Sequence, residues 1–277
     1  MIVYLDQNKI IELAGNPQLL TELQSVLAAK GTQVGISFAH ACETATIPSA
    51  RRVTDIVKTV TALPYVHLRS LMLIVQDEIM NEFYRFLKVP RRRPSQIVGA
   101  FGPEHPQTNF GMVVTELRNN TNRGDAIRAS IDGYQAEIVR DLSKHKQTNR
   151  ELVETGFFNV AEKYLTSRNI QLSGLVLLPG SISFEDFRKH FDFSNCPHIN
   201  FMVDFQLRRY KDRVRKLEAG DFCDTEHATH GSISCDVLVI ERFAREMVEQ
   251  IGRSGLRLRA KSFSDLREAI SYLQDPG

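Results

Sequence analysis

The sequence predicts an α/β protein whose central parallel sheet is assembled from the two ends of the chain, with a large, mainly helical insertion between them. Three observations carry this. The first fifty residues alternate strand, helix, strand and helix patterns, as parallel sheets require. Residues 50–195 lose that alternation and are mostly helical in pattern. Residues 196–277 regain it. The expected domains are therefore a discontinuous α/β unit of residues 1–49 and 196–277, and an insertion of residues 50–195.

The first strand is the apolar run "IVYL" at 2–5, apolar throughout as a strand buried on both faces is, and it stops at Asp6. Helical patterns follow at 9–14 and 17–30, the second with Pro17 at a first-turn position. "TQVGIS" at 32–37 is a second strand, and the helix beginning near Phe38 carries Glu43. In the insertion, 71–87, 125–142 and 150–165 are helical, and "PRRRPSQIVGAFGPEHPQTN" at 90–109 has the Pro and Gly content of a long loop. "SISFEDF" at 181–187 can start a helix from a Ser cap, and 199–217 is helical again. "GDFCDTEHATHG" at 220–231 is a short polar helix bounded by glycines. "VLVI" at 237–240 is a strand running into a helix, "LRLRA" at 256–260 is another strand, and a final helix begins at Ser264.

Composition narrows the class. A hydrophobic content of 42% and a charged content of 25% fit a folded globular chain and exclude a disordered one. No run approaches the ~20 apolar residues that cross a bilayer, so no membrane partner is expected. The first residues lack a basic stretch and a cleavage site, so no signal peptide is expected. Cys42, Cys196, Cys223 and Cys235 form no CxxC pair, which points to reduced thiols and a cytoplasmic location. A net charge of +2 does not announce a nucleic-acid binder, but "PRRRP" at 90–94 and "QLRRYKDRVRK" at 206–216 concentrate basic residues.

The acids are the chemically informative residues. Asp6 and Glu241 each end a strand, and Glu43 lies one helical turn past the second strand. In open α/β sheets the crevice at the carboxyl ends of the strands is where ligands bind. Asp224 and His227 lie three apart and so share a helix face. Two carboxylates about 5 Å apart repel by on the order of 3 kcal/mol at an effective dielectric near 20. Protons or a hard divalent cation, Mg2+ or Mn2+, resolve that repulsion. Each residue also has a plain structural role. Asp6 can cap the first helix, Glu43 can face solvent, and Asp221 with Asp224 can complement a helix N-terminus. Cys223, His227, His230 and Cys235 are close in sequence, but their spacing lacks the tight CxxC knuckle of a structural zinc site.

Taken together, "VYLDQN" near the start and "RKLEAGDFCDTEHATHGSISCDVLVIER" near the end resemble the PIN-like nuclease superfamily. The likeness is to its bacterial members with a D-x-x-H helix followed by a strand that opens on Cys-Asp and closes on an acid. It covers about 50 residues at one end and about 75 at the other, and none of the helical middle. The resemblance implies a three-layer α/β/α domain and metal-dependent hydrolysis of RNA. Position by position, it implies that Asp6, Glu43, Asp224, Asp236 and Glu241 bind Mg2+ or Mn2+. It implies that His227 orients a carboxylate or contacts phosphate. Asn8, Arg213, Arg215 and Lys216 are the residues expected to meet RNA. One departure matters: Glu241 stands where the family has Asp, with Ile240 in place of Thr before it. The substitution keeps the charge and lengthens the arm by a methylene. It motivates an alternative, a PIN-like module that binds RNA or protein without cutting. A further expectation is a toxin or defence effector held by an inhibitory partner protein, alone or as a homo-oligomer.

Overall fold

The computed structural model describes residues 1–90, 97–99, 109–119, 150–167, 183–211 and 220–275. Its centre is a five-stranded sheet of β1 (Ile2–Leu5), β2 (Gln33–Ile36), β3 (Tyr65–His67), β4 (Val237–Val239) and β5 (Lys261–Phe263). The strand order is β3-β2-β1-β4-β5 and every neighbouring pair is parallel. Among the described residues there are twelve α-helices. Preceding β4 in the chain are α1 (Gln7–Ala14), α2 (Pro17–Lys30), α3 (Phe38–Thr46), α4 (Ala50–Ala62), α5 (Leu71–Phe86), α6 (Phe110–Asn119), α7 (Arg150–Ser167), α8 (Phe184–His190), α9 (Pro197–Lys211) and α10 (Gly220–Thr229). After it come α11 (Arg242–Arg253) and α12 (Leu266–Gln274). None of the described helices is long and apolar enough to cross a membrane.

Side-chain alternation along the strands builds three layers. Val3, Leu5, Val34, Ile36, Val237 and Val239 face one side, where Ile10 and Leu13 of α1, Leu23 and Leu27 of α2, Val53 and Ile56 of α4 and Ile270 of α12 cover them. Tyr4, Leu238 and Ile240 face the other, packed by Phe201 and Phe205 of α9, Ala228 of α10 and Met247 and Ile251 of α11. β1 and β4 lie side by side at the middle, so their carboxyl ends, Asp6 and Glu241, emerge together.

The predicted insertion is smaller than its expected boundaries. β3 extends the sheet beside β2, and Val60 of α4 and Phe110 and Val113 of α6 belong to the first core. A helical pattern reveals an apolar face but not which layer that face will cover, so α4 and α6 read as insertion in the sequence. The separate helical unit is α5, α7 and α8 with a core of its own. That core is rich in Phe83, Phe157, Phe187, Phe191 and Phe193, and α9 joins it to the sheet layer through Ile199 and Val203. The helix expected at 125–142 lies outside the described residues. Ser183 caps α8 as expected, in a reciprocal pair with Asp186.

The last strand is shifted from the expected 256–260 to 261–263. In "LRLRA", Leu256 and Leu258 pack on the second core, while the N–H groups of Arg259 and Ala260 donate to the Ser232 carbonyl. The alternation is genuine, but these backbone donors serve a turn and not the sheet. That turn is π-helical, spans His230–Ser234 and connects α10 to β4. Gly231 lets it lie flat on the strand. A Cβ there would sit 2.3 Å from Leu238 Cδ1.

Candidate active site

Asp6 follows the last residue of β1 and sits at the cap of α1, in extended conformation. Its Oδ1 accepts the Lys9 N–H at 2.9 Å, so the capping role anticipated from sequence is realised. Its Oδ2 accepts the Glu241 N–H, also at 2.9 Å, which no helix cap requires. The Asp6 N–H in turn donates to the Val239 carbonyl. The carboxylate thus stitches the ends of β1 and β4 together. Only 5% of Asp6 is exposed, and burial pushes its carboxyl up to about 6 against the pull of Lys9 N–H and His227.

Glu241 stands at the cap position of α11, but its side chain does not cap that helix. Its Oε1 accepts instead from Asn8 Nδ2. Asn8, expected to meet RNA and to help through hydrogen bonds near Asp6, supports the acid Glu241 from across the sheet edge.

Glu43 projects from α3, whose start is fixed by Ser37 and His40 in a capping box. Glu43 Oε2 lies 2.7 Å from His227 Nε2, and because a carboxylate only accepts, the imidazole donates. His227 is buried on α10. Burial alone would lower its pKa, but Glu43, then Asp6 and Glu226, hold it above the ordinary value. It faces the acid of α3 directly and lies in the field of Asp6 at the end of β1.

Behind His227 runs a buried chain of polar groups. Its Nδ1 is 2.7 Å from the Tyr4 hydroxyl, which is 2.8 Å from Ser37 Oγ. Ser37 Oγ is 3.2 Å from His40 Nδ1. His40 Nε2–H donates to the Leu5 carbonyl at 2.7 Å, and its Nδ1 accepts the Ser37 N–H at 3.0 Å. That pattern fixes His40 as the neutral Nε2–H tautomer, in keeping with burial lowering its pKa far below the ordinary value. Tyr4 donates to a neutral His227, and the hydroxyl directions can reverse when Nδ1 is protonated. In the reversed state the Ser37 hydroxyl hydrogen shares the His40 Nδ1 lone pair with the Ser37 N–H.

The other two expected acids have protein partners of their own. Asp236 opens β4 at the opposite edge of the sheet, five residues of extended chain from Glu241, or roughly 16 Å. There it accepts the Ile2 N–H at 2.7 Å and Arg259 Nε at 2.9 Å. Partial burial would raise its carboxyl, yet the Ile2 N–H and the Arg259 guanidinium hold it below the ordinary range. It is a strut of the sheet, placed apart from Asp6 and Glu241, which it was expected to join in binding metal. Asp224 is on α10 with His227, but its carboxylate is 43% exposed and accepts from Arg209 Nη2 at 2.9 Å. Arg213, Arg215, Lys216 and the arginines of "PRRRP" lie outside the described residues.

Sequence reasoning passed over Glu226. It is buried, receives the Ala39 N–H at the start of α3, and is coupled to both His227 and Glu43. Burial pushes its carboxyl up to about 7, and its Oε1 has no hydrogen-bond partner. Both ring nitrogens of His230, the nearer of them 3.9 Å from that oxygen, are likewise unpartnered. Among the described residues, no three His, Cys, Asp or Glu side chains converge closely enough to cage a metal, and the four cysteines are free. Comparison of the chain with protein-family models, characterised proteins and solved structures finds no match.

Proposed function

We propose that this chain is a PIN-like, metal-dependent endoribonuclease of the cytoplasm. The observation that supports the reading is that Asp6, Glu43 and Glu241 follow the neighbouring strands β1, β2 and β4 at the carboxyl edge of the sheet, although as placed they do not close into a three-donor cage. Asp6 is bonded to the Glu241 backbone, and both Asp6 and Glu43 are coupled to His227. This edge is where parallel α/β sheets take ligands.

The residues fit a hard divalent cation by donor chemistry. The donors are carboxylate oxygens, the ligand type that Mg2+ and Mn2+ prefer. Asp6, Glu43 and Glu241 would hold Mg2+ or Mn2+. Bound there, the cation would activate water and stabilise the charge that develops on a phosphodiester. The chain's own residues orient the acids. Lys9 N–H and Glu241 N–H fix Asp6, Asn8 fixes Glu241, and His227 Nε2–H fixes Glu43.

The test is cleavage of an unstructured single-stranded RNA with Mn2+, with chelator, and by Asp6→Asn. The reading expects cutting only by wild type with metal; cutting in chelator rejects it. A second reading, a PIN-like module that binds RNA or protein without cutting, is favoured by one observation. Glu43, Asp224 and Glu241 each already have a protein partner. RNA retention by a protein that does not cut with any divalent metal would favour it.

A further inference from the structure

We propose that Tyr4 is a positioning residue whose hydroxyl orients His227 so that Nε2–H is presented to Glu43 and the Glu43 carboxylate to a divalent cation. The identity of the cation site rests on the nuclease reading; the assignment of Tyr4 goes beyond it.

The argument starts from the strand. β1 reads Ile-Val-Tyr-Leu, and its flanking positions Val3 and Leu5 are filled by aliphatic side chains on the other face. Tyr4 is wholly buried in the second core among Leu68, Phe201 and Leu238. A phenylalanine would fill that space. A buried hydroxyl is costly unless it is paired, so its presence is explained by its partners. It has two, His227 Nδ1 and Ser37 Oγ, at 2.7 and 2.8 Å.

An imidazole held at one nitrogen only can turn over about its Cβ–Cγ bond, which exchanges Nδ1 with Cδ2. With a hydroxyl at Nδ1 and a carboxylate at Nε2, a single ring orientation satisfies both nitrogens. The hydroxyl is itself anchored. Ser37 is the cap of α3, the helix that carries Glu43, and His40 of the same helix donates to the Leu5 carbonyl immediately before Asp6. The circuit Leu5–His40–Ser37–Tyr4–His227–Glu43 therefore ties the acid of α3 to the acid of β1 through buried groups. Partners one step removed from a metal typically change affinity or activity by about 10–100-fold when lost.

The experiment compares wild type with Tyr4→Phe by two readouts. The first is the imidazole 15N spectrum of the metal-free protein at a pH where His227 is neutral. Wild type is expected to show a protonated Nε2 and an Nδ1 that accepts a hydrogen bond; in Tyr4→Phe the Nδ1 resonance should move to that of an unbonded acceptor. The second is Mn2+ affinity by titration, expected to weaken by about tenfold or more in Tyr4→Phe. On RNA, kcat should fall while KM stays, because Tyr4 is buried away from substrate. An Nδ1 resonance unchanged by the substitution, or unchanged Mn2+ affinity, overturns the proposal. If Tyr4→Phe does not fold, the wild-type spectrum decides, because an unbonded Nδ1 there overturns it equally. If wild type binds Mn2+ but cuts no RNA, the nuclease reading fails while both readouts still test Tyr4.

Discussion

Asp6 caps a helix, ties two strand ends together and, on the proposed reading, binds the cation. Both of its oxygens receive backbone N–H groups, yet burial keeps its carboxyl near 6. The sign of its linkage to stability follows. A carboxyl raised in the folded state from about 3.9 unfolded contributes stability that is full below pH ~4 and lost as pH rises through about 6. Glu226 acts alike through about pH 7, and each group is worth a few kcal/mol at most. The metal-free protein should therefore be more stable to urea at pH 5 than at pH 8. Asp6→Asn and Glu226→Gln should each shrink that difference by roughly 1–3 kcal/mol. His227 titrates with the same sign, so only the comparison with wild type isolates the acids. An undiminished difference in both variants would mean that neither carboxyl is raised. Asp6 and Glu241 were legible as candidates because a charge ended an apolar run. Glu226 was not, because its burial comes from the packing of α10 on α3, which no spacing along the chain records.

At the scale of elements, the π-helical turn and β4 make opposite demands on the two halves of one segment. Gly231 must be small for the turn to approach Leu238, so Gly231→Ala should cost about 1–3 kcal/mol in urea denaturation through displacement of that side chain. An unchanged midpoint would mean that Leu238 gives way freely. Asp236 marks the other end of β4. Its loss in Asp236→Ala leaves the Ile2 N–H and Arg259 without their acceptor and should cost about 1–2 kcal/mol, with Mn2+ affinity unchanged. Weakened Mn2+ binding in a folded Asp236→Ala would return this residue to the site. These elements also show where pattern reading stops. β1 and β4 were recognisable as short apolar runs. β3 is three half-buried residues after a helix and carries no such run, and the alternation of "LRLRA" is produced by packing on α11 and the π-turn.

At the scale of the whole molecule, both ends of the chain supply one sheet and the middle adds α5, α7 and α8 beside it, joined through α9. The α/β class and the discontinuous arrangement were legible because strand and helix periods alternate at both ends. Which middle helices cover the sheet was not, because only the assembled sheet defines the surface they cover. The arrangement makes the site a product of long-range pairing, with Asp6 bonded to the backbone 235 residues later in the chain. Cation binding there should stabilise the folded state by about 2.7 kcal/mol at a hundredfold excess over its dissociation constant. The measurement that tests the central claim most directly is thermal melting of wild type and Asp6→Asn with chelator and with Mn2+, beside cleavage of one single-stranded RNA. The account predicts that Mn2+ raises the melting temperature of wild type but not of Asp6→Asn, and that only wild type with Mn2+ cuts the RNA. An equal Mn2+ shift in both proteins, or cleavage by Asp6→Asn at the wild-type rate, would contradict it.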